Sequence, residues 1–213
     1  MNLELFLSLF LLSPLVLGIW LSVQRTRRLW RSTRATAALV ASVNERGWSY
    51  QQHDRELLSR FGSFPIPAPT TCDAISGRHR GRPFWCFELR EVNDWGNVQA
   101  CLRVFAVAVR ESGPTVQLTK TGQESHRYDL TDTTEFTTGN SHIDAWFRVT
   151  TDDVAFARTL LNPQIGRWLV EHPDRPVRLT GDALVTWQER RLTAPSIEPA
   201  LDHLCDLADH LPG

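Results

Sequence analysis

Leu5 to Val23 is a run of 19 residues without a charge, rich in Leu and Phe. A helix over it is roughly 28 Å long at about 1.5 Å per residue, close to the hydrocarbon thickness of a bilayer. Such a run satisfies its backbone in lipid as a helix, and Pro14 and Gly18 are tolerated there. A cleaved secretory signal carries a basic leading region and a small-residue cleavage site. Here Glu4 precedes the run, no Lys or Arg does, and no Ala-x-Ala-like site follows. Residues 1–24 are therefore read as a transmembrane anchor, with the lipid bilayer as partner through residues 5–23.

The next flank sets the orientation. Arg25, Arg27, Arg28, Arg31 and Arg34 crowd it. Basic residues stay on the cytoplasmic side, which predicts a single-pass cell-membrane protein with its N-terminus outside and its C-terminal domain cytoplasmic. Trp20 and Trp30 join the arginines as membrane-interface residues, and each Arg near an anionic surface contributes about 1 kcal/mol. Residues 1–34 carry a net +4 and the remainder −5, so an acidic body stands off an anionic membrane on a basic stem. An overall charge of −1 and a pI of 6.7 exclude a general nucleic-acid binder. Of the basic residues only Lys120 is lysine, which reads as the codon bias of a GC-rich genome.

Residues 25–46 read as a helical stem with Ala35, Leu39 and Val43 on one side and Gly47 as its stop. Residues 47–213 then read as one α+β domain: an antiparallel, curved sheet of six to eight strands, with a broken helix and a C-terminal helix over one face. Trp48–Tyr50 suits a short strand, and Asp54 caps a helix over Arg55–Phe61. Phe64-Pro-Ile-Pro-Ala-Pro69 is an extended connector packed on the domain, or a polyproline ligand. Thr71–Gly77 and Pro83–Val92 form a hairpin around the loop 78–82. Val98–Glu111 is a strand that Ser112-Gly113-Pro114 turns into another, Thr115–Thr119. Alternation places Trp85, Phe87 and Leu89 on a buried face and Phe84, Cys86 and Glu88 on a partly buried one.

His142–Val149 reads as a further strand, followed by a helix capped by Thr151 or Asp152. Asn162-Pro163 breaks that helix and starts the next, and His172-Pro173 ends it. Val177–Thr180 and Ala183–Gln188 read as a closing hairpin about Gly181-Asp182. Pro195–Leu211 is an amphipathic helix with Leu201, Leu204, Leu207, Ala208 and Leu211 inward and Asp202, Asp206 and Asp209 on a solvated face.

Several of these segments recur together: Gly77-Arg78-His79-Arg80-Gly81-Arg82-Pro83-Phe84, Trp146–Val149, Asp153, Phe156-Ala157, Leu160–Pro163 and Gly181–Leu184. On them, residues 46–212 resemble an uncharacterised family of bacterial, mainly actinobacterial, single-pass membrane-anchored proteins. The resemblance implies a membrane-tethered cytosolic domain and supplies no catalytic residue. Gly139–His142 is more polar than that pattern suggests.

Chemistry-bearing motifs are sparse. Cys72, Cys86, Cys101 and Cys205 lack Cys-x-x-Cys spacing and read as buried thiols, although Cys86 and Cys101 fall on neighbouring strands. His203 and His210 stand seven apart on one helix, which is too far for a metal pair. Thr119-Lys120-Thr121-Gly122 contains a Lys-Thr-Gly string, yet no second lysine exists for the Ser-x-x-Lys motif that chemistry requires. No cofactor or metal is expected. Arg78, Arg80 and Arg82 at a hairpin tip form the candidate binding cluster, since guanidinium forks suit phosphate or an acidic partner. These features favour a membrane-tethered interaction or scaffold module with an unidentified protein partner. The alternative is a membrane-bound hydrolase using His142, Asp144 and Asp152.

Overall fold

The structure, a computed structural model, describes residues 34–121, 133–173 and 175–211. The chain divides into two compact units, 1–42 and 43–213. In the first, residues 34–42 are helical. The expected span and Trp20, Arg25, Arg27, Arg28, Trp30 and Arg31 lie outside the described residues. Among the described residues no helix is long and apolar enough to cross a membrane.

The second unit opens with residues 43–45 helical, ended at Gly47, whose φ of 67° suits a glycine stop. It is built on a seven-stranded sheet whose ladders are all antiparallel: β1 (Ser49–Gln51), β2 (Thr70–His79), β3 (Arg82–Val92), β4 (Val98–Lys120), β5 (Thr134–Glu135), β6 (Phe147–Thr151) and β7 (Val177–Gln188). The order is β1-β2-β3-β4-β6-β5, and β7 runs along β4. Helices α1 (Glu56–Phe61), α2 (Ser141–Trp146), α3 (Val154–Leu160), α4 (Pro163–Glu171) and α5 (Ile197–His210) complete the domain.

Both faces of the sheet are covered. On one, Phe87, Leu89, Leu102, Val104, Val185 and Trp187 pack under Leu57 and Phe61 of α1 and under Phe64 and Ile66 of the proline-rich segment. That segment is thus a packed strap. α5 lies across β3, β4 and β7 and buries Ile197, Leu201, Leu204 and Leu207. Phe84 and Cys86 are fully buried and Glu88 is 1% exposed, so the face expected to be partly open is closed.

The two inner turn signals are bends within strands. Gly113 stands opposite Gly181, and the β4–β7 register slips on either side of that pair because β4 carries extra residues, so β4 bulges against β7 and the ladder resumes beyond. Expecting chain reversals there mistook one bulge for two hairpins. Gly181 adopts a φ of 53°. A Cβ on Gly113 would lie 2.7 Å from the Phe156 ring. Asp152 Oδ1 accepts from the Thr115 N–H (2.9 Å), and the Thr151 hydroxyl donates to the Thr115 carbonyl (2.7 Å), tying β6 to the strand just past the bend.

Two further corrections follow from local hydrogen bonds. Residues 141–146 form the short helix α2, because the Asn140 side chain accepts from the His142 N–H (3.1 Å) and caps it; the strand begins only at Phe147. α3 is capped by Asp153, which accepts from the Phe156 N–H (2.9 Å), while Thr151 and Asp152 serve β4. Asn162 caps α4 ahead of Pro163, as the sequence predicts.

Candidate interaction surface

The β2–β3 hairpin closes on two residues, Arg80 (φ 49°) and Gly81 (φ 79°), which is the type I′ geometry and not a longer loop. Arg78 Nη1 donates to the Gly81 carbonyl (3.0 Å). The tip reaches α5. Arg80 donates to Asp206 and Asp209 (3.0 Å to the latter), Arg82 donates to Asp209 (2.8 Å), and His79 Nε2 sits 2.7 Å from Asp202. Asp202, Asp206 and Asp209 share one helix face at i, i+4 and i+7. Arg80 and Arg82, with His79, therefore form one clasp with the solvated aspartates that pins α5 to the hairpin, while Arg78 folds back on its own turn. The Arg82 guanidinium holds the Asp209 carboxyl below its usual range.

A second polar cluster lies at the other end of the same hairpin. Asp73 bulges out of β2 with a φ of 51°, its N–H donating to the Gln52 carbonyl (3.0 Å). Its carboxylate accepts from the Tyr50 hydroxyl (2.6 Å) and from Arg90 Nη2 (2.9 Å). Arg90 Nε donates to Glu88, whose other oxygen accepts from the Leu192 N–H (2.7 Å). Burial and the Asp73 charge push the Tyr50 hydroxyl well up, and burial beside Glu88 pushes the Cys101 thiol up to about 12. These groups are held in their unreactive forms, and the network fixes where the chain leaves β7.

The β3–β4 turn displays an aromatic side chain. Asn93 Oδ1 accepts from the N–H groups of Trp95 (3.1 Å) and Asn97 (2.9 Å), and Gly96, at φ 75°, donates to the Asn93 carbonyl. Trp95 is 88% exposed on this hydrogen-bonded loop, between the paired residues Val92 and Val98. Those three, with Trp146, are the exposed large hydrophobic residues among the described ones. The sequence signal was present: a tryptophan flanked by Asp94 and Gly96 in a turn has no core to enter. Next to this loop a groove of about 940 Å³ runs between Phe64–Pro67 and Glu189–Arg191, with Gln99–Leu102 along it.

The remaining candidates stay apart. Asp144 accepts from Thr138 Oγ1 (2.8 Å) and from the Thr138 and Gly139 N–H groups, closing the loop before α2. Asp152 braces Thr115 beyond the other end of β6. Five strand residues at roughly 3.3 Å each separate the two, and His142 lies exposed on α2. Cys86 pairs in register with Phe105, and Cys101 with Arg90, so those thiols are four residues out of step; all four cysteines are free. His203 and His210 lie against the Trp168 ring. Among the described residues no group of His, Cys, Asp or Glu is arranged to hold a metal.

Sequence reasoning missed Arg178. It is 1% exposed and lies against the Trp187 and Phe64 rings. Nε donates to Gln117 Oε1 (2.8 Å), and Nη1 donates to the carbonyls of Phe61 (3.0 Å) and Ser63 (2.9 Å). Its charge thus caps α1 and fastens the strap, and burial lowers its pKa to about 10.

No family model and no curated protein matches the chain. Among solved structures it is similar to the mycobacterial trehalose monomycolate transport factor A, TtfA, with a TM-score of 0.57 at 13% identity, over 82% of this chain and 90% of that one. At this identity the likeness is one of fold.

Proposed function

We propose that this chain is a membrane-tethered, non-enzymatic interaction module, anchored through residues 5–23 with its domain on the cytoplasmic side, that assists a transport process by engaging another protein. The observation that carries the reading is Trp95, held out at 88% exposure by an ordered loop and flanked by two half-exposed valines. Exposed aromatic anchors are what partner surfaces use. The uncharged run, its arginine flank and the family resemblance support the tether. A fold shared with a transport factor over most of both chains supports the accessory role. The carboxylates of the hydrolase alternative brace backbone instead.

The test places a photocrosslinking amino acid at position 95 in the full chain in native membranes, with position 158 on the exposed side of α3 as control. A discrete protein adduct from position 95 and none from 158 supports the module. No adduct from 95, or equal adducts from both, contradicts it.

A further inference from the structure

β7 stops pairing with β4 at the Gln188–Arg103 pair, whereas β4 continues back to Val98 along β3 alone. The outer edge of Val98–Leu102 therefore faces the groove with no neighbouring strand. Ala183, Val185 and Thr186 on β7 are fully buried, backbone included, and the outermost strands β1 and β5 have three and two residues. Val98 is 39% exposed, Gln99 is exposed, and Ala100 and Cys101 are half-buried, so this edge is accessible over four residues. Unpaired strand edges are templates for added strands.

The two walls differ in chemistry. On the Ala100 and Leu102 side stands the strap, with Phe64, Pro65, Ile66 and Pro67. On the Gln99 and Cys101 side the chain passes through Arg190 and Arg191, and the Cys101 thiol donates to the Arg190 carbonyl. On this wall Arg190 and Arg191 outnumber Glu189, and Glu91 lines the groove opposite Ala100, so the positive charge is local to the two arginines. Successive side chains of an added strand point alternately to the two walls.

We propose that the free edge of β4 at Val98–Cys101 takes an extended segment of a partner protein as an added β-strand, with alternate apolar residues against the strap and acidic residues against Arg190 and Arg191. This rests on the interaction-module reading and assigns its recognition mode.

The probe is a displayed library of random seven-residue segments, selected against the full chain in detergent. Enrichment of alternating apolar and acidic sequences is expected. The best peptide should slow amide exchange at Gln99–Leu102 at least tenfold. Its binding should weaken at least tenfold when alternate peptide amides are N-methylated, and likewise in the exposed double variant Arg190→Glu, Arg191→Glu. Failure to enrich, selection without alternation, protection elsewhere, or binding indifferent to N-methylation and to charge reversal overturns the proposal. A partner crosslinked from position 95 whose capture ignores the charge reversal overturns the groove and leaves the module reading standing.

Discussion

Arg178 shows how one side chain can substitute for secondary structure. Its guanidinium bonds to Gln117 on β4 and to the carbonyls of Phe61 at the end of α1 and Ser63 just ahead of the strap, while aromatic rings fill the space around the charge. A lysine there keeps the charge but cannot span three acceptors with a rigid fork. Arg178→Lys should cost about 2–3 kcal/mol, from carbonyls left unpaired in the interior, read as a lower urea midpoint at unchanged slope. Cys101 makes a second prediction at this scale. Only the thiolate reacts, and a thiol raised from 9.0 to about 12 holds a thousandfold less of it at pH 8. Because a more basic thiolate is also a better nucleophile, iodoacetamide should label Cys101 at least about tenfold more slowly than an unperturbed thiol, despite its partial exposure, and mass spectrometry of the labelled peptide measures this.

Among the elements, the bulge of β4 against β7 organises the sheet. Gly113 leaves room for Phe156, so Gly113→Ala should destabilise by about 1–3 kcal/mol through overpacking. Adding Phe156→Leu should recover part of that loss, giving a favourable coupling in the double-mutant cycle. The clasp on α5 carries a pH dependence. A carboxyl lowered in the folded state stabilises above its unfolded value near about 4, and that contribution is lost as pH falls through the lowered Asp209 value. Amides in the last turn of α5 should exchange faster below that point, and Asp209→Asn should show the fast exchange at neutral pH already. Strand positions such as 84–89 were legible because they form a short aromatic-rich run bounded by turn signals. The bends were not, because Ser-Gly-Pro and Gly-Asp punctuate bulges and turns alike. At 143–147 an alternating triplet imitated a strand, although Asn140 was in place as a helix cap.

At the scale of the whole molecule, the clasp and the groove depend on long-range register. The arginines of the hairpin and the aspartates of α5 were each visible in the sequence, but nothing local says that they meet across more than a hundred residues. The groove is less visible still, since it exists only because β7 ends at Gln188 while β4 runs on to Val98. The surface beside it makes a clean separation of stability from recognition. Trp95 and Val98 contribute little to the core, so Trp95→Ser with Val98→Ser should leave stability within about 0.5 kcal/mol. The most direct test is affinity capture, from native membranes, of the partner identified through position 95, using the unaltered chain and this double variant, matched for amount and melting temperature. A tenfold or greater loss of partner is the predicted result; equal recovery from both chains would contradict it.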